Sequence, residues 1–377
     1  MYSEAKERNL EVSDDDNVPT FKATQPNVSI NIAANKNGDN ISEIRLYQNN
    51  KLIFTKGKIG ETIDAVQLTV PLSLINGDNR IKAIAINSQR TESQPNEIII
   101  NFKPDKTTPS PVPSGVSGNN TGGIQLHLIV VGINIYKNSK YNLNYALADA
   151  TAFKDAFESG ATGVFSKVNT TFITNADANK AGIEAAFEKV KATAKPQDLF
   201  VFYYAGHGVM NEKKEFFLVP NDVTQLYGAD DALAQKGLSA NQLQQFSKDI
   251  KAQKQLFILD ACQSAGALQT LAAARGAAEE KAIAQLARST GTHWLTASGS
   301  EQFASEFTQL GHGAFTYTLL EGLKGGADTG DKKITVKEID AYLQNKVPEI
   351  TAKYKGTPQY PSSYGYGNDF PIGVVKQ

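Results

Sequence analysis

Cys262 is the sole cysteine of the chain, so its sulfur has no internal disulfide partner. It lies in the segment Leu256–Gly266, LFILDACQSAG, where four consecutive apolar residues predict a buried strand that ends at Asp260, with a glycine-containing turn beyond it. A second segment has the same form: Asp198–Gly208, DLFVFYYAGHG, is an apolar run closed by the glycine-flanked His207. Two neighbouring parallel strands ending this way would bring an imidazole and a thiol to one edge of a sheet, where open α/β sheets place their chemistry. A thiol with an ordinary pKa of about 8.5 is only a few per cent thiolate at neutral pH, and a nearby imidazole accepts or organises its proton. His207 and Cys262 are therefore the candidate base and nucleophile of an acyl-transfer reaction.

Each residue also has a plainer reading. A lone cysteine is among the most often buried residues, but the Gly-His-Gly context and an acidic residue two positions before the sulfur point to chemistry here. Of the other histidines, His127 lies inside an apolar strand and reads as packing. His293 precedes Trp294 at the start of a strand and reads the same way. His312 is the rival to His207 because it too stands in Gly-His-Gly. It follows the cysteine and opens a helical pattern, so the expectation is a turn or helix-start role whose loss leaves most activity in place.

At these segments the chain resembles the caspase and metacaspase family, and in particular its prokaryotic, orthocaspase-type members. Tyr203–Gly208, YYAGHG, is similar to the family's histidine motif, and Asp260–Gly266, DACQSAG, to its cysteine motif. Supporting matches are Leu126–Ile133, Ala148–Ala150, Gly311–Gly322 and the ending Gly367–Ile372. The histidine precedes the cysteine by close to the caspase spacing of about 50 residues. The resemblance implies a cysteine endopeptidase in which Cys262 attacks the scissile carbonyl and His207 shuttles the proton. It also implies an oxyanion site at the backbone amides of Cys262 and Gly208, where glycine would allow a substrate to approach closely. A catalytically silent scaffold that binds a partner is the alternative from another class.

Specificity follows from the same resemblance. Metacaspases line their P1 pocket with acidic side chains for Arg or Lys. Asp260 and Asp149, the latter in Ala148-Asp-Ala150, match those positions, and two carboxylates suit one cationic head. Ala146 and Ala205 depart from the family, which often has Cys and Ser there. The expected substrate is a protein or peptide with a basic P1 residue. The segment Leu268–Thr292 stands where caspases carry an intersubunit linker, and Arg275, Lys281 and Arg288 are its candidate self-cleavage sites. No cofactor is expected. Ala327–Glu338 has the outline of a calcium-binding loop, but Ala327, Thr329 and Lys332 replace the first and third ligands and the turn glycine, so it reads as a turn into a helix and gives calcium dependence no support. Scattered histidines and one cysteine leave zinc unsupported as well.

These residues need a scaffold. From residue 124 to 377, strand-like runs at Leu126–Ile133, Asn169–Ile173, Leu199–Tyr204, Gln255–Leu259 and Trp294–Ala297 alternate with helical patterns near Tyr145–Glu158, Lys180–Thr193, Ser239–Ile250, Ala314–Leu323 and Val336–Tyr342. That alternation predicts an α/β fold, a caspase-like, mainly parallel sheet covered by helices on both faces. Val131–Tyr136, VGINIY, holds a single glycine, so the phosphate-binding loop of a nucleotide binder is missing. Residues 104–123, rich in Pro, Gly and Ser, read as a linker. Residues 19–103 hold short β-type runs separated by turns such as Asn49-Asn50, which predicts an immunoglobulin-like sandwich, a spacer or a module for a protein partner. Residues 1–18 read as a flexible N-terminal segment.

With a net charge of −1 the chain has no bulk basic footprint for nucleic acid. No run approaches the roughly 18 apolar residues of a membrane span. The opening Met1–Arg8, MYSEAKER, lacks an apolar signal-peptide core. A cytoplasmic protein is the favoured expectation, although the same polar opening suits a processed, exported form, and one cysteine fits either compartment.

Overall fold

The computed structural model describes residues 12–13, 18–36, 39–57, 65–104, 123–226, 228, 230–262, 281–288, 290–297, 306–307 and 311–375. The chain divides into two compact units, Met1–Gly122 and Gly123–Gln377. No helix among the described residues is long and apolar enough to cross a membrane.

The first unit is strand-rich, consistent with a β-sandwich. One sheet runs in the order Val12–Ser13, Thr20–Ala23, Asn96–Phe102, Gly77–Asn87, Ile41–Gln48 and Lys51–Lys56, and Asn27–Asn35 pairs separately with Ala65–Ser73. The alternating inward residues of both, among them Val28, Val70, Leu72, Leu46, Ile81 and Ile100, share one core. Asn49 and Asn50 both take positive φ, 51° and 70°, which is the geometry a tight two-residue hairpin demands and asparagine tolerates. The short strand Thr20–Ala23 was not expected, because its single apolar pair is too brief for a periodicity signal.

In the second unit the sheet order is Lys167–Thr174, Gln125–Gly132, Leu199–Met210, Lys254–Cys262, His293–Thr296 and Ser362–Gly365. All neighbours are parallel except the last pair. Leu126, Leu128, Val201, Tyr203, Leu256 and Ile258 face the helices Ala146–Ala161, Ala314–Glu321 and Val336–Lys355. The alternate residues Ile129, Phe200, Phe202 and Phe257 face Lys180–Thr193, Ala240–Asp249 and the helical residues 281–288. Burial on both faces is why these strands read as near-continuous apolar runs. The last helix outruns its expected end at Tyr342, because Leu343, Val347 and Thr351 continue the buried stripe of Ile339 through and beyond Pro348. That continued burial offsets a proline cost of about 3 kcal/mol.

The strand order reverses about the first strand: the chain goes from Gln125–Gly132 outward to Lys167–Thr174, then crosses to Leu199–Met210 on the other side. This switch point opens a crevice at the carboxyl ends of the strands. The opposite end is closed by His127, whose Nε2 donates to Asp198 Oδ2 at 3.2 Å in a fully buried setting. Asp198 also accepts the amides of Gln125 (2.9 Å) and Lys195 (2.8 Å). Burial opposes ionisation of Asp198, but these three donors outweigh it and hold its carboxyl below the usual range. A carboxyl depressed in the folded state contributes stability that is complete above its unfolded pKa, about 3.9, and is lost as pH falls through the folded value. Resistance to denaturant should therefore fall below about pH 4, and Asp198→Asn should flatten that acid limb while lowering stability at neutral pH.

Candidate active site

The backbone register places His207 directly beside Cys262, and Ala205 beside both Asp260 and Gly132. Neither strand stops where its apolar run does. The cysteine strand continues to Cys262 rather than ending at Asp260, and the histidine strand continues to Met210. The reason is a hairpin: Phe216–Val219 folds back antiparallel on residues 207–210, turned by Asn211, whose side chain accepts the Glu215 amide, and by Lys214 at φ 61°. His207 thus sits in mid-strand, just past the point where the first strand ceases to pair.

Two glycines make this possible. A Cβ on Gly206 would lie 2.8 Å from the Tyr204 hydroxyl and 2.9 Å from that of Tyr136. A Cβ on Gly208 would lie 3.0 Å from the Phe216 ring. At Gly208 a side chain would thus crowd the Phe216 ring, a packing role beside the expected one in substrate approach.

Past Ala205 the His207 amide has no partner on the first strand, and the Tyr136 hydroxyl accepts it instead at 2.9 Å. The ring of His207, 2% exposed, packs on Tyr136 with centroids 4.8 Å apart and meets Tyr141 edge-on at 6.3 Å. Its Nε2 lies 2.7 Å from the Tyr141 carbonyl oxygen. A carbonyl only accepts, so Nε2 carries the proton and Nδ1 is the basic nitrogen. The loop that delivers Tyr136 and Tyr141 is stitched by asparagines: Asn142 Oδ1 accepts the Tyr136 amide, Asn134 Oδ1 the Leu147 amide, and Asn175 Oδ1 the amides of Asn134 and Ile135. The sequence specifies no third carboxylate to orient His207, and a backbone carbonyl has no residue signature.

Burial pushes the Tyr136 phenol well above its ordinary pKa, so it stays a neutral partner throughout the working pH range. Tyr136→Phe leaves a buried amide unsatisfied and should cost about 1–3 kcal/mol of stability in denaturant melts.

On the helical side of the same edge lie the two candidate pocket carboxylates. Asp149 is in the first turn of Ala146–Ala161 and is 4% exposed, so it is not a solvated helical charge. That helix approaches the sheet closely because a Cβ on Gly132 would lie 2.6 Å from Ala150 Cβ. His312 Nδ1 donates to Asp149 Oδ1 (2.7 Å) and the Gly313 amide to Oδ2 (3.2 Å). Thr316 Oγ1 donates to Asp260 Oδ2 (2.6 Å). With its proton committed there, the Thr316 hydroxyl accepts from the Tyr203 hydroxyl, also at 2.6 Å. Burial, then the charges of Asp260 and Asp149, push the Tyr203 phenol far up, which keeps it a donor. His312 and Thr316 are the residues whose part here the sequence reading missed. His312 does immediately precede a helix, Ala314–Glu321, as expected, but its ring is also committed to Asp149.

His293 is packed as expected: it is buried, with Nε2 donating to the Asn368 carbonyl at 3.0 Å. Lys281 and Arg288 fall within the helical residues 281–288, and Arg275 lies outside the described residues. In the loop Ala327–Glu338, Asp328, Asp331 and Glu338 bring carboxylate oxygens within 4.8 Å of one another. Asp328 accepts the amides of Gly330 and Lys332, and Glu338 closes a capping box with Thr335 and accepts from Thr329. These groups serve a turn into a helix, with Lys332 at φ 64° in the place of the turn glycine.

Solved structures similar to this chain include a protein of Geobacter sulfurreducens (16% identity, 67% of this chain, 100% of that one, TM-score 0.44). Caspase-1 of Spodoptera frugiperda is similar at 12% identity, over 67% of this chain and 91% of that one, with a TM-score of 0.44. The fibronectin(III)-like modules of CbhA from Clostridium thermocellum align over 25% of this chain and 97% of that one, at 16% identity and a TM-score of 0.17. No curated protein sequence matches. The family model for the caspase domain matches residues 126–365, a span that contains both glycine-flanked histidines, the cysteine strand and the switch-point crevice; the chain belongs to the caspase domain family.

Proposed function

We propose that the protein is a cysteine endopeptidase of the caspase and metacaspase type that cleaves after Arg or Lys. The observation that carries the reading is the register of His207 with Cys262, together with the Tyr141 carbonyl on His207 Nε2. Holding the proton on Nε2 leaves Nδ1 to take the thiol proton. The thiolate adds to the scissile carbonyl carbon, and the amides of Cys262 and Gly208 receive the oxyanion. The C–N bond then breaks as the imidazolium protonates the leaving amine, giving a thioester. Water, deprotonated by His207, attacks the thioester and regenerates the thiol.

Asp149 and Asp260 supply the basic P1 preference, since two carboxylates at one buried edge favour a cation and repel an anionic P1. Self-cleavage is assigned to Arg275, because Lys281 and Arg288 lie in a helix, whose backbone does not present an extended substrate strand. The domain organisation follows as read from the sequence, with residues 19–103 serving as a spacer or partner-binding module joined by the 104–123 linker. Hydrolysis of a mixed fluorogenic peptide library, with the Cys262→Ala protein as control, tests the reading: release from P1 Arg or Lys peptides by the wild type alone supports it, and preference for P1 Asp overturns the pocket assignment.

A further inference from the structure

One short segment holds both pocket carboxylates. His312 and the Gly313 amide engage the two oxygens of Asp149, and one helical turn later Thr316 engages Asp260. The two aspartates come from different parts of the fold, the first helix and the cysteine strand, and two like charges brought together repel each other. Each carboxylate is met by its own donor from this segment, which fixes its orientation. Thr316 is fully buried and receives its own hydrogen bond from the buried Tyr203, which stacks on Phe153 with ring centroids 4.2 Å apart, so the donor cannot swing away.

We propose that His312–Thr316 is the specificity-positioning element of the site, with His312 fixing Asp149 and Thr316 fixing Asp260 in the orientation that receives a P1 guanidinium or ammonium. The inference rests on the basic-P1 endopeptidase reading, replaces the expectation that loss of His312 leaves most activity in place, and adds the residues that set the pocket without touching the reacting atoms.

The test separates the donor from the volume it occupies. His312→Phe keeps a ring without the donor, and His312→Asn keeps a donor near the Nδ1 position without the ring. Thr316→Val removes the hydroxyl at constant shape, and Thr316→Ser restores it. Steady-state kinetics on a P1 Arg peptide should show KM raised about tenfold or more in His312→Phe and Thr316→Val, with kcat changed several times less, and largely recovered in His312→Asn and Thr316→Ser. The rate of Cys262 alkylation by iodoacetamide, a reagent that needs no P1 pocket, should match the wild type in all four. Unchanged KM in folded His312→Phe and Thr316→Val proteins overturns the proposal while the endopeptidase reading stands. Loss of alkylation together with kcat also overturns it, since the segment would then only hold the fold. A wild type that cleaves no basic P1 peptide, yet is alkylated normally, overturns the underlying reading and the proposal with it.

Discussion

Cys262→Ala should abolish peptide hydrolysis, and His207→Ala should lower it by roughly 10²–10⁴-fold, the range that a positioned general acid–base contributes. Both proteins should remain folded, because the two positions pair beyond the point where the first strand ceases to pair, away from the core that residues such as Val201 and Leu256 fill. The measurement is turnover of a P1 Arg peptide by purified variants, with thermal melts to establish the fold. His207→Ala should also slow alkylation of Cys262 near neutral pH, since the thiol then lacks the imidazole that takes its proton. In mass spectra after identical incubation, the active chain should be cut after Arg275 and the Cys262→Ala chain should stay whole. Appreciable turnover by either alanine variant would falsify the dyad.

Neutralising the pocket gives the second large effect. Asp260→Asn removes one of the two charges expected to meet the substrate cation, and a hydrogen bond to a charged group contributes about 1.5–3 kcal/mol. That corresponds to roughly a 10- to 150-fold fall in kcat/KM for P1 Arg peptides, at 1.36 kcal/mol per factor of ten. Asp149→Asn should weaken the same substrates, and it also leaves the His312 ring without its carboxylate partner. Iodoacetamide alkylation of Cys262 should be little changed in both, because the reagent does not use the pocket. Should Asp260→Asn leave P1 Arg turnover at the wild-type level, Asp260 is a strand-end residue and the basic preference has another origin.

The α/β core was legible in the amino-acid sequence for a physical reason: strands buried on both faces leave uninterrupted runs such as Leu199–Tyr204 and Gln255–Leu259, and the helices between them leave apolar stripes. That His207 and Cys262 meet at one edge could also be read, since each follows such a run, and parallel strands align their carboxyl ends. Strand ends were less legible. Glycines at 206 and 208 look like terminators in sequence, yet the return of Phe216–Val219 supplies a ladder that carries the histidine strand to Met210.

What the sequence by itself determined, then, is the class of fold and the residue types at its candidate active edge. Tertiary structure alone decided how those residues are held. The acceptor on His207 is a backbone carbonyl 66 residues away, at Tyr141, and every residue carries such a group, so no side chain announces it. His312 reaches Asp149 across 163 residues and Thr316 reaches Asp260 across 56. Local pattern reports which face of an element is buried. It does not report which polar atoms from distant elements meet there, because those pairings are set by the crossing of helix on sheet and by the close approach that Gly132 allows.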